Sequence, residues 1–172
     1  ENPGITCALI PTRTPGVVIN RRHDQMGVPF YNSPVEGHDV IVPIDSIIGG
    51  VEGVGQGWRM LMESLAAGRG ISLPAMALAG TKFVARAAGA YATVRRQFGL
   101  SIGQFEGIEE PLARIGAFAY LMEATRRYTC GALDQGARPA VATAIVKYNL
   151  TELHRKAIND GMDIFAGNAI AR

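Results

Sequence analysis

Apolar side chains take up helical spacing at Trp58, Leu61, Met62 and Leu65, which follow i, i+3, i+4, i+7. Upstream the pattern is that of strands. "ITCALI" (5–10) and "GVVI" (16–19) are short β-rich runs parted by the turn cluster "PTRTPG". "VPFYNSP" (28–34) reads as loop and "HDVIVP" (38–43) as a strand stopped by Pro43. Residues 44–57, with glycines at 49, 50, 53, 55 and 57, read as a loop between two structural regions. Downstream, residues 75–98 form an alanine-rich helix containing Gly80 and Gly89; Arg95 and Arg96 fall in its last turn and Gly99 is its expected stop. In residues 107–133, Ile108, Leu112, Ile115, Ala119, Met122 and Thr125 share a face, with Gly136 as terminator. Pro139 then opens a third long helix running to about Phe165, with Val141, Ile145, Tyr148, Leu153, Ala157 and Ile158 expected inward. The fold class is mainly α: an incomplete antiparallel bundle of three long helices (residues 54–172) preceded by the remnant of a β-sheet domain (residues 1–53).

One stretch breaks the helical pattern. "LAAGRGISLP" (65–74) puts Arg69 between two glycines, with a proline one turn later. Each interior glycine costs roughly 0.5–1 kcal/mol against alanine and an interior proline about 3 kcal/mol. Two readings are open: a solvated arginine at a kink, or an arginine that a distorted backbone holds toward a buried polar ligand.

Composition narrows the class. Of the 172 residues 48% are hydrophobic, enough to exclude disorder. A net charge of +2 with scattered arginines gives no nucleic-acid footprint. Cys7 and Cys130 stand in unrelated contexts and read as small buried fillers in a reducing compartment. His23, His38 and His154 have no metal-ligand spacing, and "GGVEGVGQG" (49–57) matches no phosphate-binding fingerprint. No apolar run approaches the ~20 residues of a membrane span. The expected setting is cytoplasmic, with peripheral attachment at an inner membrane as a variant. Without an initiating methionine, and stopping at "AGNAIAR", the chain reads as an internal piece of a longer protein.

Four stretches in order carry a more specific message: "MGVPFYNSPVEGHDVIVPIDSIIGG", "GQGWRMLMESLAAGRG", "YATVRRQFGLSIGQFEGIEEPLARI" and "DIFAGNAI". Together they resemble the acyl-CoA dehydrogenase family, flavoproteins that desaturate fatty acyl thioesters, and within it the large bacterial fatty-acyl-CoA dehydrogenases. The resemblance implies the end of the family's middle β domain followed by most of its C-terminal helical domain. It implies FAD as cofactor, an acyl-CoA substrate, a homo-oligomer formed through the helical domain, and an electron-transfer flavoprotein or similar acceptor. By the same resemblance Arg69 lies beside the substrate, Arg95 pairs with the FAD pyrophosphate, and Gln97 and Phe98 run along the cofactor. Phe105 and Glu106 stand where the family usually has phenylalanine-glutamine. Ala166 and Gly167 stand at the glycine pair whose backbone approaches FAD. On the bare residues, "RRQFG" and "DIFAGNAI" also read as ordinary helix ends.

Desaturation needs a base for the α-proton and polarisation of the thioester carbonyl. The family's glutamate base falls either beyond the element at 163–170 or on the first long helix, where this chain has Ala67 and Gly68. Glu63 is more than a helical turn away, so no catalytic residue is assigned within these residues and the isolated segment is expected to be inactive. Alternatives are a related flavin-dependent oxidase or monooxygenase, and a non-catalytic helical oligomerisation module.

Overall fold

The structure, a computed structural model, describes residues 4–25, 28–29 and 32–171. The chain divides between Glu63 and Ser64 into two compact units, each described by itself.

In the first unit β1 (Val17–Ile19) pairs antiparallel with β4 (Val35–Gly37), Val17 opposite Gly37 and Ile19 opposite Val35. Between them β2 (Asp24–Gln25) and β3 (Val28–Pro29) form a second short ladder. The strand expected at 38–43 does not form, and pairing falls on the preceding 35–37. Asp39 takes a left-handed φ of 51° that ends the extended run, and Gly16 at φ 88° lies under the His38 carbonyl, where an added Cβ would come within 2.1 Å of its oxygen. "ITCALI" makes isolated bridges, Ile5 with Gln56 and Ala8 with Ile47, instead of a strand. Val28–Pro29 of the expected loop is paired backbone; Phe30 and Tyr31 lie outside the described residues. So small a sheet leaves Ile19, Val35 and Ile41 exposed.

α1 (Gly57–Ala67) is the expected first helix, and a π turn (Gly68–Ser72) joins it to α2 (Leu73–Val94). A π turn inserts one residue and re-registers the helix just ahead of Pro74, which sits buried in the first turn of α2. α3 (Glu106–Asp134) and α4 (Ala140–Phe165) complete the helical set. In the second unit α2, α3 and α4 pack on one another in pairs. One core cluster joins Ala88, Ala92, Ile102, Ile115, Ala157 and Ile164; another joins Ala77, Leu78, Met122, Val146 and Leu150. Small residues set the helix spacing. A Cβ on Gly70 would stand 2.5 Å from Thr143 Cγ2, and one on Gly161 2.6 Å from Val84 Cγ1.

The expected face of α3 is the buried one, with Ile115 and Met122 fully enclosed. Gly136, at φ 82°, ends the helix: its N–H bonds to Leu133 O and that of Ala137 to Ala132 O, a Schellman closure. The expected inward face of α4 needs correction. Ala157 is buried, but Val141, Ile145 and Tyr148 are exposed, and Thr143, Val146, Leu150, Gly161 and Ile164 point inward instead. Both faces of this segment are apolar, so hydrophobicity alone could not choose between them.

The end of α2 also differs from expectation. The helix stops at Val94, and Arg96–Gln97 (β5) pairs with Leu100–Ser101 (β6). Phe98 (φ 51°) and Gly99 (φ 84°) form the two-residue turn, so Gly99 serves a hairpin and not a helix cap. Arg96 Nη2 donates to Gly99 O at 2.6 Å and braces the turn.

Candidate functional site

The hairpin after α2, the start of α3 and the end of α4 enclose a cleft of about 520 Å³. α2 contributes Tyr91, the hairpin Arg95, Gln97 and Phe98, the approach to α3 Phe105 and Ile108, and the end of α4 Asp163, Phe165, Ala166, Gly167 and Asn168. Ile102 and Ile164 form part of its wall and belong to the hydrophobic core, so the cleft rests on a packed base.

Local structure aims these groups. Phe98 is displayed because both turn residues are left-handed; the residue is 94% exposed and its ring lies edge-on to Phe105 at 6.4 Å. Arg95 follows the last turn of α2 and donates its backbone N–H to Tyr91 O at 2.8 Å. Among the described residues its guanidinium has no ion-pair or hydrogen-bond partner. The arginines of α3 are committed. Arg114 grips Asp160 through Nε and Nη2 at 3.1 and 2.8 Å, and Arg126 and Arg127 converge on Glu123 with Lys82. Those three cations hold the Glu123 carboxyl far below its ordinary 4.5, hydrogen bonding by Arg126 foremost.

Six of the eight residues singled out from the sequence meet here: Arg95, Gln97, Phe98, Phe105, Ala166 and Gly167. They come from three separated stretches. Glu106 opens α3 and does not line the cleft. Arg69 lies in the π turn, exposed, and lines neither described cavity. Besides Ile102, Ile108 and Ile164 of the core, the cleft holds Tyr91, Asp163, Phe165 and Asn168, none of which had been assigned to a site. Tyr91 had a signal, one helical turn before Arg95, and the other three sit inside the quoted "DIFAGNAI".

The second cavity, about 300 Å³ in the first unit, is lined by Ile10, Val17, Val35 and Val40 with one charged side chain, Glu36. It brings no set of polar groups together. The described residues hold no cluster of three or more His, Cys, Asp or Glu able to bind a metal, and no helix is long and apolar enough to cross a membrane.

An unpaired guanidinium beside one exposed and three half-buried aromatic rings, with small residues opposite, suits a ligand that is both anionic and aromatic. The three long helices and this cleft define a helical domain with a polar-and-aromatic cleft at its end. Residues 55–172 match the family described as "Acyl-CoA dehydrogenase, C-terminal domain", and the chain belongs to the acyl-CoA dehydrogenase family. It is 60% identical over 90 residues to Protein HemX of Proteus mirabilis, covering 52% of this chain and 53% of that one. Among solved structures it is similar to butyryl-CoA dehydrogenase from Megasphaera elsdenii, at TM-score 0.79 and 26% identity, covering 99% of this chain and 44% of that one. The fold is also that of PigA, solved with FAD and proline, at TM-score 0.83 and 23% identity, covering 96% of this chain and 43% of PigA. The chain thus spans about half the length of these proteins or less.

Proposed function

We propose that these residues form the end of the middle domain (1–53) and most of the C-terminal helical domain (54–172) of an FAD-dependent acyl-CoA dehydrogenase that acts on fatty acyl thioesters. The observation that carries this reading is the meeting of Arg95, Gln97, Phe98, Phe105, Ala166 and Gly167, distant in sequence, around one cleft. When bound, FAD supplies the acceptor for the β-hydrogen, which leaves as hydride while a base removes the α-proton. The residues here do the holding. Arg95 presents a planar fork that matches phosphate oxygens in pairs. Phe98 and Phe105 offer apolar surface, and Ala166 and Gly167 leave room for close backbone approach. Arg69 is assigned to the substrate side and Glu106 to the cofactor's outer portion, both on the family resemblance alone.

The base lies outside these residues, so the isolated segment neither retains stoichiometric FAD nor reduces an acceptor with acyl-CoA. An electron-transfer flavoprotein is the expected acceptor in the intact protein. Assembly into a homo-oligomer is supported by apolar stripes opposite the core on each long helix: Met76, Phe83 and Val94 on α2, Tyr120 and Tyr128 on α3, Val141, Ile145 and Tyr148 on α4. A helix apolar on both sides is one that is covered on both sides. The setting is cytoplasmic.

The test is purification of the intact protein, with the flavin spectrum recorded and anaerobic bleaching followed on adding a fatty acyl-CoA. Bleaching supports the reading; a colourless protein overturns it. The shared fold of PigA, solved with FAD and proline, and of AnaB, a prolyl acyl carrier protein oxidase, motivates one competitor, a flavin-dependent oxidase of a prolyl substrate. Bleaching by that substrate and not by acyl-CoA would select it.

A further inference from the structure

We infer that Tyr91 is a positioning residue that holds the backbone at Ala166 and Gly167 in place along the cleft, with Asn168 as its partner; this rests on the reading that the cleft takes FAD. Ala166 ends α4 at φ 51°, ψ −128°, a conformation that glycine enters freely and alanine does not. Something must hold it there. On the near side, Phe165 stacks on the Tyr91 ring with centroids 4.5 Å apart and planes 29° from parallel. On the far side, Asn168 Nδ2 donates to Tyr91 Oη at 2.9 Å. A single side chain from α2 therefore grips the residue before the strained one and the residue two beyond it.

Tyr91 also lies one helical turn before Arg95 on the opposite wall. Its carbonyl oxygen accepts the Arg95 N–H at 2.8 Å, fixing the point where the chain leaves α2 for the hairpin. That bond is the ordinary closing bond of the last helical turn, so the Tyr91 side chain itself holds only the Ala166–Gly167 side of the cleft. Loss of the Asn168 contact frees the alanine to relax toward ordinary φ, and the Gly167 backbone leaves the cleft wall with it. A glycine at 166 needs no such grip.

The test uses the intact protein that carries these residues, with FAD as the probe and four variants: Tyr91→Phe, Asn168→Ala, their double, and Asn168→Ala combined with Ala166→Gly. Two quantities are read: the FAD dissociation constant, and hydrogen exchange of the 165–170 amides in protein stripped of flavin. The expected result is a rise in the dissociation constant of roughly three- to tenfold for each single variant, the size of one neutral hydrogen bond. The double is no weaker than either single, because both remove the same bond. Exchange at 165–170 quickens while the middle of α3 is unchanged. Ala166→Gly restores most of the affinity lost in Asn168→Ala, a rescue that a general loss of stability does not produce. Wild-type protein that takes up no FAD overturns the flavin reading itself. Wild-type protein that binds FAD, with Asn168→Ala binding it equally well or unrescued by Ala166→Gly, overturns the positioning role alone.

Discussion

α2 is irregular at both ends, and each irregularity displays an arginine. At the start a π turn carries Arg69; at the finish a left-handed hairpin follows Arg95. From the sequence the two looked alike, cationic side chains set among glycines. In the structure they differ in company. The π turn meets α4 through Gly70 and Thr143, and its glycine and nearby proline are accounted for by that close approach and by the change of register. The hairpin has three other segments gathered around it and a cleft between them. A broken helix marks a place where the backbone has to solve a problem. What arrives beside it decides whether the problem is packing or binding.

The comparison breaks most directly at its two cations. Arg95→Ala is expected to weaken FAD by about ten- to a hundredfold in the intact protein, the worth of a charged hydrogen bond, with melting temperature unchanged. Arg69→Ala should leave the flavin dissociation constant alone and act, on the family resemblance, through kcat/KM for acyl-CoA. Flavin titration of both variants checks this. Equal losses of flavin would erase the distinction between the two ends of α2.

Next in size is the packing claim at the π turn. A methyl at Gly70 stands 2.5 Å from Thr143 Cγ2 and 2.6 Å from its Cβ, so the two segments must move apart to admit it. Gly70→Ala should cost about 1–3 kcal/mol, the usual penalty of overpacking, read by chemical denaturation. Gly68→Ala, with open space around its Cβ position, should cost nothing and can stabilise by a few tenths. At the other end of the second unit Ala166→Gly runs the opposite way: release of about 1–3 kcal/mol of backbone strain exceeds the ~0.5–1 kcal/mol entropic cost of glycine, for a net gain of about 1 kcal/mol.

These residues also show what the sequence could and could not disclose. Helix existence was legible from apolar spacing, and the end of α3 from Gly136, because both are local properties. The core face of α3 was legible because its apolar positions alternate with Glu110, Arg114, Glu123 and Arg127. The face of α4 was not, since Val141, Ile145 and Tyr148 are as apolar as Val146 and Leu150. Strand pairing was missed at 38–43, where partner choice turns on the His38 carbonyl crossing Gly16, a contact between residues 22 apart. Six of the cleft residues were named from the family resemblance, yet Tyr91, which opens one of the quoted stretches, was given no role, because its partners Phe165 and Asn168 lie more than 70 residues away.

The smallest expected effect lies between the two ends of α2, on its seam with α4. His154 covers Gly80, where a Cβ would reach within 2.3 Å of the ring, and its Nδ1 is 3.0 Å from Thr81 Oγ1. Thr81 spends its own proton on Ala77 O, so His154 Nδ1–H donates to Thr81 Oγ1, a bond that the neutral and the charged ring can both make. Burial pushes the His154 pKa below its ordinary 6.5. The unfolded chain is then protonated first as acid is added. Stability is complete above pH 6.5, declines as pH falls toward the lower folded value, and has no further loss from this group below it. Glu123, held low by its three cations, acts in a second window: its contribution is present above 4.5 and disappears as pH falls through its depressed folded pKa. Denaturation midpoints measured from pH 8 to pH 3 should therefore show an upper step beginning near pH 6.5 and a lower one that begins near 4.5 and is still under way at pH 3. His154→Gln should remove the upper step and leave the lower; an unchanged upper step would mean that the seam is not what senses acid there.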